Sequence, residues 1–169
     1  MLPIRTELVL IDANVSQKAK MIRLSRMADY AVVLMTHIAA RGGVHNAVEA
    51  AAATGVPGPT AAKVLKTLSN DGLLTARRGA HGGYELARPA AAINVAQVVS
   101  AIDGPIALTY CVTPGAGTCE VEPACPSRSG LNRINTAIRT ALEAVSLAEL
   151  VPQPSRALRA LEAEMRTQP

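Results

Sequence analysis

Apolar residues recur at three-and-four spacing along RMADYAVVLMTHIAARGG, where Ala28, Ala31, Val32, Met35, Ile38 and Ala39 fall on one side of a helix. Ser25 stands at the N-cap position, and Gly42 and Gly43 stop the run. A short alanine-rich helix follows over VEAAAATG, and the turn GVPGP leads into PTAAKVLKTLSNDG. In that segment Ala61, Val64, Leu65 and Leu68 form an apolar stripe, Thr60, Lys63, Lys66 and Thr67 point elsewhere, and Pro59 suits the first turn. Two short helices joined by a glycine-containing turn predict a helix-turn-helix whose second member is the recognition helix. A plain helical hairpin with solvated lysines would carry the same stripe, so the next segment of the chain decides between them.

LLTARRGAHGGYELARP reads as two short strands around a glycine-rich tip, with Leu73 and Leu74 leading in and Tyr84 and Leu86 leading out. A hairpin directly after a recognition helix is a wing. Its tip carries Arg77, Arg78 and His81 among Gly79, Gly82 and Gly83, a composition that lets backbone approach a phosphate or an arginine enter a minor groove. Next, in INVAQVVSAIDGP, Asn94 and Gln97 have capping-box spacing and Val95, Val98, Val99 and Ile102 make the buried face. Beyond Pro126, Leu131, Ile134, Ile138, Ala141, Val145 and Ala148 occupy a and d positions over about three heptads, which predicts one long helix with a continuous apolar seam. Packing on the winged domain is the ordinary cover for such a seam, but a reader with one winged helix usually needs a second copy, and this helix is well placed to provide the dimer contact.

The fold expected is mainly α with a small β-hairpin wing: a winged helix-turn-helix DNA-binding domain over 21–105, a cysteine loop over 106–126 and a long C-terminal dimerisation helix over 127–151. Residues 1–20 lack periodicity and are expected to be a flexible extension, and 152–169 a tail with a weak helix and no assigned function.

Composition agrees with packed helices. Of 169 residues, 49% are hydrophobic, much of that alanine, and only 2% are aromatic. The net charge of +4 is modest, so placement matters more than the total: Lys63, Lys66, Arg77, Arg78 and Arg88 lie close together in the chain and predict a basic surface for double-stranded DNA. No run approaches the roughly 18 apolar residues that span a bilayer, so a cytoplasmic protein without a membrane partner is expected. No nucleophile elbow, phosphate loop or H-E-x-x-H motif is present, and His37, His45 and His81 have no metal-ligand spacing. A regulator is therefore expected, not an enzyme.

All three cysteines, Cys111, Cys119 and Cys125, fall in TYCVTPGAGTCEVEPACPS with spacing C-x(7)-C-x(5)-C. An odd count in a reducing compartment argues against a disulfide framework and leaves metal binding or transient redox chemistry. Clustered thiolates suit iron-sulfur or zinc and disfavour magnesium or calcium. A closed zinc site normally uses close pairs such as C-x(2)-C, absent here. An electron carrier would call for a redox C-x-x-C or a fourth nearby cysteine, and neither occurs. An iron-sulfur cluster, a cluster-free thiol switch and a zinc-binding repressor stay open on these grounds.

The segments LSRMADYAVVLM, KVLKTLSNDGLL, RRGAHGGYELAR, DGPIALTYC and ALEAVSLAELV, with the spaced cysteines between the last two, resemble the Rrf-two family of bacterial regulators, the IscR, NsrR and RirA group. The likeness is greatest to the type that controls the SUF iron-sulfur assembly system, and it covers roughly residues 23–151. The resemblance implies a homodimeric winged-helix transcription factor whose Cys111, Cys119 and Cys125 hold an iron-sulfur cluster, of the 2Fe-2S kind, and which senses cluster, iron or redox status. It also implies a phosphate contact from Arg26 beside the DNA-binding set Thr60, Lys63, Lys66, Arg77 and Arg78. Some relatives carry a histidine ligand three positions after the last cysteine; here that position is Arg128, which cannot ligate. Tyr110 stands where similar proteins often have an acid, and Leu131 where many have tryptophan. Since relatives vary the fourth ligand and sometimes draw it from helix one of the partner, Asp29 is the candidate, with His37 next and Glu120 and Glu122 as local alternatives. An acid at the first turn of a helix is equally explained by the helix dipole.

Overall fold

The computed structural model describes residues 23–79, 81–112 and 125–152. Helix α1 spans Arg26–Arg41: Ser25 caps it by accepting the Ala28 N–H at 3.0 Å, and Gly42, at φ 65°, ends it. Ser25 Oγ also donates to Asp103 Oδ1 at 2.7 Å, tying the start of α1 to the end of a later helix. Ala28, Ala31, Leu34, Met35 and Ile38 are buried, so the stripe seen in the sequence is the core face, with Leu34 added and Val32 and Ala39 at its margin.

Helix α2 (Ala47–Thr54) is capped by Asn46 and closed by Gly55 in the left-handed region. Helix α3 (Gly58–Asn70) has Pro59 in its first turn and buries Ala61, Val64, Leu65 and Leu68, the four residues of the expected stripe. Strands β1 (Leu74–Arg77) and β2 (Gly83–Leu86) pair antiparallel, Leu74 opposite Leu86 and Arg77 opposite Gly83. His45 adds an antiparallel bridge to β2: its N–H donates to Tyr84 O at 2.9 Å and its carbonyl accepts from Tyr84 N at 2.8 Å. Gly83 is required there, since a Cβ would stand 2.4 Å from His45 O. The wing is thus fastened to the loop between α1 and α2.

Helix α4 (Val95–Asp103) begins with the expected Asn94/Gln97 capping box and packs on α1 through Val95 and Val99, with Ile102 at the edge of that contact. A 3-10 turn over Tyr110–Val112 carries Cys111 and packs on helix α5 (Arg128–Glu143).

The single helix expected over 127–151 is two. Helix α5 stops at Glu143, and a separate turn, α6 (Leu147–Leu150), starts after Ser146, which makes a capping box with Glu149. The break has a hydrogen-bond cause: Val145 O accepts from Val95 N at 3.0 Å and Leu147 N donates to Ile93 O at 2.7 Å, so these groups cannot serve a continuing helical ladder. Val145 and Ala148 therefore leave the seam. Val145 packs near Ala28, Val95 and Val99, and Leu147 is fully buried in the main core with Leu34, Leu65 and Ile93.

Candidate nucleic-acid interface and thiol site

The geometry of α3 follows from its stripe. With Ala61, Val64, Leu65 and Leu68 turned to α1, α2 and α4, Lys63 and Lys66 are left exposed on the outer face and Thr60 half-buried at its edge. Thr67 Oγ1 donates back to Lys63 O at 3.1 Å, so this hydroxyl is turned to the helix's own backbone.

At the wing, Arg77 Nε donates to Glu85 Oε1 at 2.7 Å across the ribbon; the arginine side chain is 62% exposed and the glutamate side chain 24%. Arg78 is exposed at the tip and has no side-chain partner among the described residues. The tip itself is tight: Gly79 has φ 114°, and its carbonyl accepts from Gly82 N at 2.9 Å. Arg26 is exposed at the start of α1, lining a shallow hollow with Arg23, Leu24 and Asp29. Arg88, grouped with the wing by sequence position, lines instead a cleft with Asp71, Gln97, Arg139 and Glu143, between α3, α4 and α5.

His37, on α1, meets His45 ring edge to ring face with centroids 5.4 Å apart. Burial, followed by the charges of His45 and Arg41, lowers its pKa from the ordinary 6.5. His45 Nε2 donates to Gly42 O at 2.8 Å. These rings brace α1 against the loop that holds the wing.

Cys111 and Cys125 are free, half-buried thiols on either side of the stretch between residues 112 and 125; Cys119, Glu120 and Glu122 lie outside the described residues. Thr109 Oγ1 and Cys111 Sγ share a hydrogen bond of 3.2 Å. Soft, uncommitted sulfur donors with a hydroxyl alongside fit a thiophilic metal or cluster. Among the described residues no three His, Cys, Asp or Glu side chains gather to hold a metal ion.

A residue absent from the sequence-based site holds the segment that leads to Cys111. Asn135 is the only buried residue of α5, 8% exposed, and it hydrogen-bonds to the backbone of the segment leading to Cys111. Its signal is legible in the chain: between Leu131 and Ile138 it is the one polar residue on the helical stripe.

Residues 24–153 match the family model Rrf2, described as iron-dependent transcriptional regulator. The chain belongs to the Rrf2 family. A protein of Mycobacterium tuberculosis (strain H37Rv) named as an HTH-type transcriptional regulator is 44% identical over 87 residues, 50% of this chain and 54% of that protein. The chain thus spans about half the length of the curated relatives it matches. CymR (YrzC), the global cysteine regulator of B. subtilis, superposes with a TM-score of 0.63 at 26% identity, covering 77% of this chain and 96% of that one. T. potens IscR gives a TM-score of 0.58 at 21% identity over 88% of this chain and 93% of its own, a likeness of fold. S. aureus CymR in an oxidized form gives 0.60 at 23% identity over 79% and 99%. The family model describes transcriptional regulators, and this chain has the winged helix-turn-helix fold of its solved relatives. Among the described residues no helix is long and apolar enough to cross a membrane.

Proposed function

We propose that this Rrf2 protein is a homodimeric cytoplasmic regulator that reads iron-sulfur or redox status through its cysteine loop and passes it to a DNA-reading surface. The observation that carries the reading is the placement of two free thiols at the junction with α5, in a chain whose α3 and wing tip present exposed cations. In this proposal Lys63, Lys66 and Thr60 enter a major groove, Arg78 reaches the neighbouring backbone or minor groove, and Arg77 and Arg26 contact phosphates. Arg77 does so less freely, because it shares its charge with Glu85.

The cofactor proposed is a 2Fe-2S cluster held by Cys111, Cys119 and Cys125, with Asp29 of the partner subunit as fourth donor. When bound, such a cluster supplies a redox-active and oxygen-sensitive centre. The chain's own part is to offer soft sulfur, to place the Thr109 hydroxyl against Cys111 and to join the site to α5. Requiring Asp29 from a second copy accords with the lack of a three-ligand group among the described residues of one chain. Genes of iron-sulfur assembly are the proposed targets, on the resemblance to the SUF type of regulator.

Anaerobic purification followed by absorption spectroscopy and iron and sulfide analysis tests the cofactor, and salt-dependent binding to a promoter fragment with and without it tests the coupling. A colourless, iron-free protein whose DNA affinity ignores iron would overturn the cluster. The second reading, a cluster-free thiol switch, is favoured by the free state of Cys111 and Cys125 and by the existence of an oxidized form of S. aureus CymR. It predicts DNA affinity that changes with peroxide and is restored by dithiothreitol in metal-free protein.

A further inference from the structure

Asn135 is the only buried polar side chain among the described residues, and it spends both ends of its carboxamide on one stretch of backbone. Oδ1 accepts the Leu108 N–H at 3.1 Å, and Nδ2 donates to the Ile106 carbonyl at 3.3 Å. The two bonds, two residues apart on the same strand of chain, copy the way a neighbouring β-strand would hold it. They also dictate the amide's orientation, since only oxygen can face the N–H and only nitrogen the carbonyl. Around them, Ile106 and Leu108 line an apolar groove with Ile138 and Leu142 of α5, where water is poorly placed to compete for the same groups.

The latch joins the two stretches of chain that lead to and away from the thiols. Cys111 follows Leu108 by three residues, on the 3-10 turn that packs against α5. Cys125 precedes α5, and its carbonyl accepts the Arg128 N–H at 3.4 Å, joining it to the first turn. Hence one thiol follows directly on the segment that Asn135 holds, and the other stands just before the helix on which Asn135 sits, bonded to its first residue. We propose that Asn135 is a positioning residue for the thiol site: it sets the separation of Cys111 and Cys125 and makes any movement at those sulfurs a movement of α5. This rests on the reading that these cysteines form one site.

The separation can be read without cofactor, in the reduced, metal-free full chain carrying Cys119→Ser, by closure of dibromobimane across the two remaining thiols. Each thiolate displaces one bromide, and fluorescence appears only when both arms carry sulfur; monomer-sized product identifies closure within a chain. Relative to the first attachment, closure is expected to slow by on the order of tenfold in Asn135→Leu, which removes both bonds, and by less in Asn135→Asp, which keeps the acceptor for Leu108 N–H and sets a second oxygen against Ile106 O. Iron and sulfide retained after anaerobic reconstitution of the same variants with all three cysteines should fall in the same order. A merely structural Asn135 would lower the melting temperature yet leave closure unchanged in the folded variants, and equal closure overturns the proposal. Should Asn135→Leu fail to fold, Asn135→Asp decides alone: slower closure supports the latch and equal closure removes it. Failure of the parent Asn135 chain to close at all overturns the common thiol site, and the proposal with it.

Discussion

Arg77 and Arg78 are adjacent in the chain yet electrostatically unlike. The first is ion-paired across the ribbon with Glu85, and the second is exposed at the tip with no side-chain partner among the described residues. Arg78→Ala is therefore expected to weaken operator binding by about 1–3 kcal/mol if it contacts a base edge, or to flatten the salt dependence by about one ion if it contacts phosphate. Arg77→Ala should cost less, and titrating a labelled operator at several salt concentrations separates the two. His37 supplies a pH dependence. Its pKa is lowered in the fold by burial and by the His45 and Arg41 charges, so below 6.5 the unfolded chain binds more protons than the folded one. The stability tied to neutral His37 is complete above pH 6.5 and is lost as pH falls through that value toward the folded pKa. Thermal melts well above and well below that value should show this loss, and His37→Gln should shrink it.

Among the elements, α5 and α6 show how a cap divides a heptad pattern. Leu131, Ile134, Ile138, Ala141, Val145 and Ala148 have the spacing of one seam, but Ser146 and Glu149 also spell a capping box, and the box prevails because the backbone on either side bonds to Ile93 and Val95. Ser146→Ala should lower stability by about 0.5–2 kcal/mol, measurable as a reduced urea midpoint with an unchanged slope. Sequence range separates the legible elements from the rest. The stripe of α3, the caps of α1 and α4 and the hairpin all depend on neighbours within a few residues, and they stand where the sequence placed them. The end of α5 depends on partners some fifty residues away in the chain, a separation that periodicity does not sense.

For the whole molecule, the remaining seam on α5 is the proposed dimer contact. Ile134 is 52% exposed and lines an open apolar hollow with Gly130, Arg133 and Ala137. A charge there costs the single chain little, whereas in a dimer it would be desolvated without a partner. Ile134→Glu is accordingly expected to sediment as a folded monomer with its circular dichroism intact, and to lose tight binding to a two-half-site operator. A folded variant that stays dimeric would move the interface elsewhere. Ile138 is a poorer probe, because it already lines the groove beside Ile106 and Leu108.

Local order in this protein was a property of the sequence alone: helix faces, caps, the glycine-rich wing and the grouping of three thiols all follow from residues near one another in the chain, where steric and hydrogen-bonding preferences act directly. Only the tertiary structure decided which like residues differ. It paired Arg77 with Glu85 and left Arg78 without a side-chain partner among the described residues, took Val145 from the seam, buried Leu147 in the core, and buried Asn135 against Ile106 and Leu108. Each of these depends on long-range backbone partners and on what a side chain meets across the core, and a one-dimensional pattern contains neither.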